Sequence, residues 1–396
     1  MELPVTKGRI QSIDLLRGVV MIIMALDHTR DFFHAEGMTG DPTNMATTTP
    51  ALFFTRWITH FCAPIFVFLA GTSGWLQASK KSKKELSFFL ITRGLWLILM
   101  ELTIINFSFF FDPHFVVTGL QTIWSIGISM VILGGMIWLP VPVIFITGLL
   151  IVFGHNSLDF YEKGFKEAPG IWYSLVHQPG FYHLWGNHNL LILYPFLSWS
   201  GLMMLGYCFG KIISNADERQ RNKTMLILGA VVIVFFMALR ATNMYGDPDP
   251  WSKQKDSVFT ILSFLNTHKY PPSLLYMCMT IGPALLFLAI FSKTRNKLVS
   301  IISVYGRVPF FYYIIHFYLI HLISAICFFA RGHSFAEGIK SGLPGFNPNF
   351  VEPGEGFSLW IVYAIWLGVI IVMYPVCKWY DRYKSAHRDN KWLSYL

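Results

Sequence analysis

The 396-residue chain contains few charged residues: Asp, Glu, Lys and Arg together make up 13%. A soluble globular domain carries roughly 25%. Hydrophobic residues reach 54% and the mean hydropathy is +0.49, so the composition excludes an ordinary soluble domain and indicates an integral membrane protein. The net charge of +9 does not indicate a nucleic-acid partner, because most basic residues lie between hydrophobic segments.

Cysteine and nucleotide-binding motifs are also scarce. The five Cys residues lie within or at the edge of apolar segments and form no CxxC pair, so neither a disulfide framework nor a cysteine zinc site is expected. His183 and His188 lack the carboxylate or Cys spacing of a zinc site, and we predict no bound metal. There is no GxxxxGK[ST] loop, which leaves ATP chemistry without support. The short polar N-terminal tail leads directly into a long apolar segment, so we expect no cleavable signal peptide.

Ten apolar segments approach or exceed the length of about 20 residues that a bilayer core requires. We therefore predict a single-domain (residues 1–396), all-α, polytopic integral membrane helical bundle with about ten transmembrane helices. The segment 141–156 is the weakest, and a tight hairpin with 118–138 through residues 140–142 is its alternative. The predicted spans are residues 10–33, 53–79, 87–110, 118–138, 141–156, 190–213, 224–243, 273–292, 307–330 and 357–379.

Basic residues are concentrated in one set of short connecting segments, which holds eighteen Lys and Arg, whereas the longer opposite loops hold seven. The positive-inside rule places the richer set in the cytoplasm. Both termini are then cytoplasmic, and the expected location is the cell inner membrane. The richer set is Lys7, Arg9, Lys80, Lys81, Lys83, Lys84, Lys211, Arg219, Arg221, Lys223, Lys293, Arg295, Lys297, Lys378, Arg382, Lys384, Arg388 and Lys391; the poorer set is Lys163, Lys166, Lys253, Lys255, Lys269, Arg331 and Lys340.

The long outer loops 157–189, 241–272 and 331–356 are rich in Gly, Pro, aromatic residues and His. Plain connections are usually short, so we predict that these loops form a cap over the helix ends. Their aromatic side chains suit stacking against sugar rings. Anchoring at the membrane interface explains the same residues and stays open as the alternative.

A charged stripe occupies the first predicted span. Asp27, Arg30, Asp31 and His34 follow the i, i+3, i+4, i+7 spacing of one helical face. An ionisable residue at mid-bilayer costs at least about 2.5–3.5 kcal/mol, which makes a functional role the default. Since His beside Asp is the arrangement of a general base, we predict His34, Asp27, His28 and Asp31 as the catalytic residues. The alternative is a set of ion pairs that holds the bundle together.

Several motifs carry a resemblance that extends over nearly the whole chain. The pattern Ser-Ile-Asp-Leu-Leu-Arg-Gly leads into Leu-Asp-His-Thr-Arg-Asp-Phe-Phe-His, and residues 68–73, 93–96 and 305–309, which lead to His316, also match. Together they resemble the heparan-alpha-glucosaminide N-acetyltransferase family, in its bacterial branch. The resemblance implies a transmembrane acyltransferase that takes acetyl-CoA from the cytosol and passes the acetyl group to an amine or hydroxyl of a sugar on the far side.

The resemblance also bears on the site residues. Animal members have an Asn and a later His at the outer end of the first span, and Asp27 and His34 fall at the comparable places. Because this sequence has Asp for Asn and a shorter spacing, the choice between His28 and His34 as the base stays open.

Other polar residues in the spans extend the predicted site. We predict Arg30, Arg56, His60 and His316 as substrate-binding residues, with Arg30 or Arg56 stabilising the tetrahedral charge. For Arg56 and His60, a partnership with the first-span carboxylates is the alternative. For His316, a packing role is the alternative.

The nucleotide end of the donor requires phosphate ligands at the inner side. Arg binds phosphate in a bidentate manner, and Arg307, Arg17 and Lys297 lie near the predicted inner helix ends. We predict them as the acyl-CoA ligands. Ordinary positive-inside charge is the alternative, as is an Asp14–Arg17 ion pair.

The sequence thus predicts an acetyl-CoA-dependent O- or N-acetyltransferase whose partners are the lipid bilayer, acyl-CoA, a sugar or glycan acceptor and, as a homodimer, a second copy. Direct transfer and an acetyl-His intermediate both fit the residues, and direct transfer is favoured because no nucleophile is singled out. A proton-coupled secondary transporter is the alternative function for the charged stripe.

Overall fold

The computed structural model describes residues 11–165, 169–341, 348–387, 389–390 and 393. Some predicted features lie outside the described residues. Among the basic residues used to predict the orientation, these are Lys7, Arg9, Lys166, Arg388, Lys391 and the side chain of Lys340. Residue 10 of the first predicted span and residues 342–347 of the third predicted cap loop lie outside them as well. The described residues are mostly helical, with 70% in helices and 5% in strands.

The helices and strands follow one another in this order: α1 Gln11–Phe33, α2 Pro50–Thr59, α3 Cys62–Ala78, α4 Lys83–Met100, a π-helical segment Glu101–Ile105, α5 Asn106–Phe110, β1 Val117–Leu120, α6 Thr122–Met136, α7 Val141–Gly154, α8 Ser157–Glu162, α9 Ile171–Val176, β2 Gly180–Trp185, β3 His188–Ile192, α10 Phe196–Asn215, α11 Glu218–Thr242, α12 Ser257–Leu265, α13 Leu274–Ile290, α14 Lys297–Arg307, α15 Pro309–Ala330, α16 Phe335–Ser341 and α17 Leu359–Ala386.

Long apolar helices dominate the fold. Large apolar side chains such as Leu150, Val234 and Ile371 are exposed on the bundle surface, as expected for contact with lipid. Within the described residues, seven helical segments are long and apolar enough to cross a membrane: Pro50–Ala78, Lys83–Phe110, Val141–Glu162, Phe196–Asn215, Glu218–Thr242, Pro309–Ala330 and Leu359–Ala386.

Helix α1 lies at the centre of the bundle and packs against α2, α3, α13, α14, α15 and α17. Its crossing with α14 requires glycine on both helices. A Cβ atom on Gly306 would lie 1.9 Å from the carbonyl oxygen of Asp14, and one on Gly18 would lie 2.1 Å from that of Ile302. Small residues allow such close backbone contact between membrane helices, and this contact brings Arg17 and Arg307 to the same end of the bundle.

A break divides the second predicted span into α2 and α3. Pro64 has no N–H group, so the carbonyl of His60 loses its usual helical partner. The hydroxyl of Tyr276 donates to that carbonyl at 2.8 Å instead. The break places Thr59 and Cys62 beside the cavity described below.

The predicted helical bundle is confirmed as a mostly helical fold, but one region of the chain forms strands that the all-α prediction did not include. A small sheet with strand order β1-β3-β2 forms from parts of two outer connections, with β3 parallel to β1 and antiparallel to β2. Alternate side chains of β2 are exposed, which is the period of two that a half-buried strand requires. Gly186, at φ +52°, makes the turn between β2 and β3. The predicted spans 118–138 and 190–213 therefore begin as strands, and their helices start at Thr122 and Phe196.

Two other boundaries follow from proline. Pro309 occupies the first turn of α15 and separates it from α14, so the predicted span 307–330 is preceded by a distinct short helix. Pro140 precedes α7, and the helical segment Val141–Glu162 is long enough to cross a membrane. The weak segment 141–156 is therefore part of a helix of its own.

Candidate functional site

A cavity of about 940 Å³ lies beside α1 and is lined by residues from both ends of that helix. Arg17 and His28 both line it, and they are separated by eleven residues, or roughly 16 Å of helical rise. One end of the wall carries cationic side chains, and the other end carries a group of polar residues. The cationic end includes Arg17, Lys81, Arg93, Arg307 and Lys384; the other end includes Asp27, His28, Thr122, Tyr194 and Lys269.

Hydrogen bonds hold Arg17 and Arg307, two of the three arginines of the cationic end. The Nη2 atom of Arg17 donates to Ser73 Oγ at 2.5 Å and to the carbonyl of Leu69 at 3.3 Å. Arg307 donates to Asp381 Oδ2 from both Nε and Nη2, each at 2.8 Å. The structure thus brings two of the three predicted nucleotide ligands to one cavity mouth.

The third predicted nucleotide ligand lies elsewhere. Lys297 is exposed at the start of α14 and does not line the cavity. Lys81, Arg93 and Lys384 take part in the mouth instead. The sequence marked these three residues only indirectly. Lys81 and Lys384 belong to the predicted cytoplasmic basic segments, and Arg93 belongs to the Arg93-Gly94 motif.

An ionic network surrounds Asp27 at the far end of the cavity. Its Oδ2 atom accepts a hydrogen bond from Arg56 Nη1 at 2.5 Å, and its Oδ1 atom accepts one from Arg30 Nη2 at 3.3 Å. Arg30 also pairs with Asp31, and Lys269 Nζ lies 4.0 Å from Asp27 Oδ2. Of the predicted stripe, Arg30 and Asp31 therefore join Asp27 and Arg56 in one network, whereas His34 does not.

His28 lines the cavity next to this network and is partly exposed to it. His316 is fully buried behind it, with the two ring centroids 5.3 Å apart. The Nδ1 atom of His316 lies 3.0 Å from the carbonyl oxygen of Tyr312. Among the described residues, neither His28 Nδ1 nor His316 Nε2 has a hydrogen-bond partner. His316 is therefore a neighbour of His28 and not part of the cavity wall.

The structure places His34 away from His28. It follows the last residue of α1, and its Nδ1 atom accepts a hydrogen bond from the N–H of Glu36 at 3.3 Å. Burial, together with the nearby Arg30, lowers the pKa of His34. With Asp31 and Arg331, His34 lines a separate small pocket and not the large cavity.

His60 is also placed apart from the cavity wall. It is buried, and its ring centroid lies 5.3 Å from that of Tyr276. Arg56 reaches Asp27 from one turn earlier on the same helix. Of this predicted pair, only Arg56 joins the network.

Lys269 reaches the site because residues 247–273, which include most of a predicted outer loop, are tightly held. Arg240 is 2% exposed and donates to the carbonyl oxygens of Asp249, Phe264 and Asn266 at 2.8, 3.0 and 2.5 Å. The sequence offered one signal for this role, since an Arg at the end of an apolar span is costly unless it is paired. Our interpretation of the sequence did not use it.

His268 fixes the position of its neighbour Lys269. Its Nδ1 and Nε2 atoms lie 2.7 Å from Asp249 Oδ2 and 2.8 Å from the carbonyl oxygen of Tyr270. Both partners are acceptors, so both nitrogens donate, and the imidazolium form is favoured. Burial alone would lower the pKa of His268, but the hydrogen bond and charge of Asp249 outweigh it and raise that pKa.

A second polar cluster, which we did not predict, occurs at the end of α8. Ligand-type atoms of Asp159, Glu162 and His177 lie within 4.8 Å of one another. Glu162 Oε1 accepts from Tyr173 Oη at 2.8 Å and lies 2.6 Å from His177 Nδ1. Hydrogen bonds within the cluster thus account for its arrangement. His188 lies elsewhere, with its Nδ1 atom 3.1 Å from the carbonyl oxygen of Phe115.

Comparison with known proteins gives one family. Residues 9–245 match the sequence model of the family described as heparan-alpha-glucosaminide N-acetyltransferase, catalytic. This match covers more than half of the chain and includes Asp27, His28 and Arg56. No curated protein matches the chain.

Proposed function

Because the chain belongs to the heparan-alpha-glucosaminide N-acetyltransferase family, and is thus a membrane acetyltransferase, we propose that it transfers an acetyl group from cytoplasmic acetyl-CoA to a hydroxyl or amine of a sugar on the outer side of the cell inner membrane. The observation that carries this proposal is the cavity beside α1. It joins a cationic mouth to a histidine and a charged network at the other end of the same helix. Transfer between the two sides of a membrane requires such a passage.

The proposed topology has ten spans and cytoplasmic termini. Besides the seven long apolar helices, α1, α6 and α13 cross the membrane, although α1 carries charges and the other two are 15 and 17 residues long. The positive-inside rule supports this orientation, since it places the cationic mouth in the cytoplasm.

The donor lies along the cavity. Arg17, Arg307 and the neighbouring Lys81 bind the phosphates of CoA at the mouth, because guanidinium and ammonium groups are the usual phosphate ligands. The pantetheine arm follows α1 for the roughly 16 Å of helical rise between Arg17 and His28. The thioester then lies beside His28, and the acceptor approaches from the outer side.

His28 serves as the general base. Its Nε2 atom takes a proton from the acceptor N–H or O–H group while the acceptor nitrogen or oxygen attacks the thioester carbonyl carbon. The C–S bond then breaks, and the CoA thiolate takes the proton from His28. Asp27, which Arg30 and Arg56 hold in place, lies next to the imidazole in sequence and stabilises its charged form. The transfer is direct, without an acetyl-enzyme intermediate.

The tautomer of His28 follows from its neighbour. The base needs a lone pair on Nε2, so Nδ1 must carry hydrogen. His316 donates from Nδ1 to the carbonyl of Tyr312, which leaves its Nε2 atom as an acceptor beside the buried Nδ1 of His28. The two nitrogens make no hydrogen bond with the residues that the structure describes, and the proposed positioning role of His316 is to accept one from His28 Nδ1 when the substrates are bound.

The experiment that tests the proposal compares two histidines. Purified protein receives radiolabelled acetyl-CoA and a panel of amino sugars and neutral sugars, and the release of free CoA and the labelled product are measured. His28→Ala is expected to lower transfer by about 100-fold or more, the usual contribution of a general base, with CoA binding unchanged. His34→Ala, the matched control, is expected to keep its turnover.

Two results would contradict the proposal. Loss of turnover in His34→Ala, with full activity in His28→Ala, would move the base to the small outer pocket. Proton-coupled uptake of a solute into vesicles, without acetyl-CoA and without labelled product, would favour the transporter alternative.

A further inference from the structure

The charges at the outer end of the cavity do not balance. Arg30, Arg56 and Lys269 are buried cations, with side chains 4%, 14% and 9% exposed, and they share two carboxylates, Asp27 and Asp31. With both carboxylates ionised, the network carries one net positive charge. Lys269 Nζ lies 5.1 Å from the centroid of the Tyr270 ring, which offsets only part of the cost of burying this charge. The surplus charge therefore favours a ligand group that gains negative charge in this part of the cavity.

Only one of the three cations faces the cavity. Arg30 and Arg56 are engaged by the carboxylates through hydrogen bonds and are absent from the cavity wall. Lys269 lines the wall, and its Nζ atom is 4.0 Å from Asp27 Oδ2, beyond hydrogen-bond distance. Among the described residues, none accepts a hydrogen bond from that ammonium group, which has three hydrogens to donate.

The proposed reaction supplies a group that fits this position. The thioester carbonyl oxygen is neutral in the bound donor and becomes negative in the tetrahedral intermediate. A fixed cation in a dry site stabilises charge that develops in the transition state more than it stabilises the neutral ground state. An ammonium group on the cavity wall beside His28 therefore meets the requirement for an electrophilic partner.

We infer that Lys269 is a catalytic residue and that its ammonium group donates a hydrogen bond to the carbonyl oxygen of the thioester. As the acceptor adds to the carbonyl carbon, the electron pair of the C=O bond moves to that oxygen and is stabilised by Lys269. When the C–S bond breaks, the pair returns to re-form the carbonyl, and Lys269 keeps its protons. This inference rests on the proposed function.

The inference also reassigns the two arginines. From the sequence, Arg30 or Arg56 was the predicted partner of the tetrahedral charge. Because both guanidinium groups are engaged by Asp27 and Asp31, their role is to position Asp27. Arg240 and His268 then act at a distance, since they hold the loop that carries Lys269.

The test measures steady-state acetyl transfer by Lys269→Met, Lys269→Gln and Lys269→Arg in the full-length protein. Loss of an oxyanion donor typically lowers kcat by about 100- to 1,000-fold, and we expect a loss of this size for Lys269→Met. The KM for acetyl-CoA is expected to change by less than about threefold, because the carbonyl is neutral in the bound donor. Lys269→Arg, which keeps the charge, is expected to recover part of the rate. Lys253→Met changes an exposed lysine of the same loop and serves as the matched control with full activity.

Thermal unfolding and binding of acetyl-CoA are measured on every variant. If Lys269→Met fails to fold, Lys269→Gln is the deciding variant. It keeps an N–H donor on a side chain one atom shorter, and a partial loss of kcat is expected. A stable variant with neutral residue 269 and a kcat close to wild type would overturn the inference, as would a defect confined to acetyl-CoA affinity. Absence of acetyl transfer in the wild-type protein is a different failure, because it refutes the proposed function itself.

Discussion

Asp27 has two guanidinium groups and one ammonium group within 4.0 Å, which explains how a carboxylate persists on an apolar helix. Of the two alternatives that the sequence left open, the ion pairs are confirmed for part of the stripe, and the catalytic role stays a prediction. Arg30, Asp31 and Arg56 form the ion pairs of the structural alternative, whereas His28 and Lys269 face open space. Spacing along one helix predicted the first group, but it carried no information about Lys269, which arrives from a loop more than two hundred residues later.

At the residue scale, the role of His316 is open to a direct test. His316→Leu removes the proposed acceptor for His28 Nδ1 and is expected to lower kcat by about fivefold, since one lost hydrogen bond costs roughly 1 kcal/mol. The KM for acetyl-CoA is expected to stay the same, because His316 is outside the cavity wall. Steady-state kinetics measures both constants.

The control for this prediction is His316→Gln, whose amide oxygen provides an acceptor near the same place. It is expected to recover most of the rate. Equal activity of the Leu variant and the wild type would show that the base needs no partner at Nδ1.

At the element scale, the segment 247–273 is expected to respond to pH through His268. Its pKa is raised in the folded protein, so the protonated form stabilises the segment. That stabilisation is complete below the unfolded pKa of about 6.5 and is lost as the pH rises through the raised folded value. Hydrogen-exchange protection factors of the segment, measured from about pH 6 to about pH 9, are expected to fall with increasing pH.

The matched variant for this prediction is His268→Gln, which has no titrating group. Its segment is expected to show lower protection at acidic pH and no change across the range. Protection in the wild type that stays constant with pH would rule out the proposed role of the imidazolium.

The elements themselves differ in how well the sequence predicts them. Long apolar runs fix α4, α11 and α17, because length alone identifies a membrane span. The short segment 188–192 is equally apolar whether it is helical or extended, and its pairing with β1 and β2 depends on residues far away in the chain. Hydropathy therefore could not separate the strand from the helix that follows it.

At the scale of the whole molecule, the cavity links the cationic mouth to the network around Asp27. No pattern in the sequence connects these two regions. Arg307→Gln is expected to raise the KM for acetyl-CoA by roughly 10- to 100-fold, since a hydrogen bond to a charged group contributes about 1.5–3 kcal/mol. The measurement is the dependence of the initial rate on the acetyl-CoA concentration.

Lys297→Gln provides the control. Lys297 is a basic residue of the same helix as Arg307, but it is exposed and does not line the cavity. It is expected to leave the KM unchanged. A larger effect of Lys297→Gln than of Arg307→Gln would mean that the nucleotide binds outside the mouth described here.

Helix α1 is continuous and carries both Arg17, the proposed phosphate ligand, and His28, the proposed base. The helix fixes the distance between these two residues, because a continuous α-helix does not stretch and its rise over eleven residues is roughly 16 Å. If acyl-CoA is the donor, as proposed, we expect donors to be selected by the length of their arm as well as by their charge. A truncated thioester that lacks the nucleotide has nothing to hold its far end, and one with a lengthened arm delivers its carbonyl beyond the imidazole.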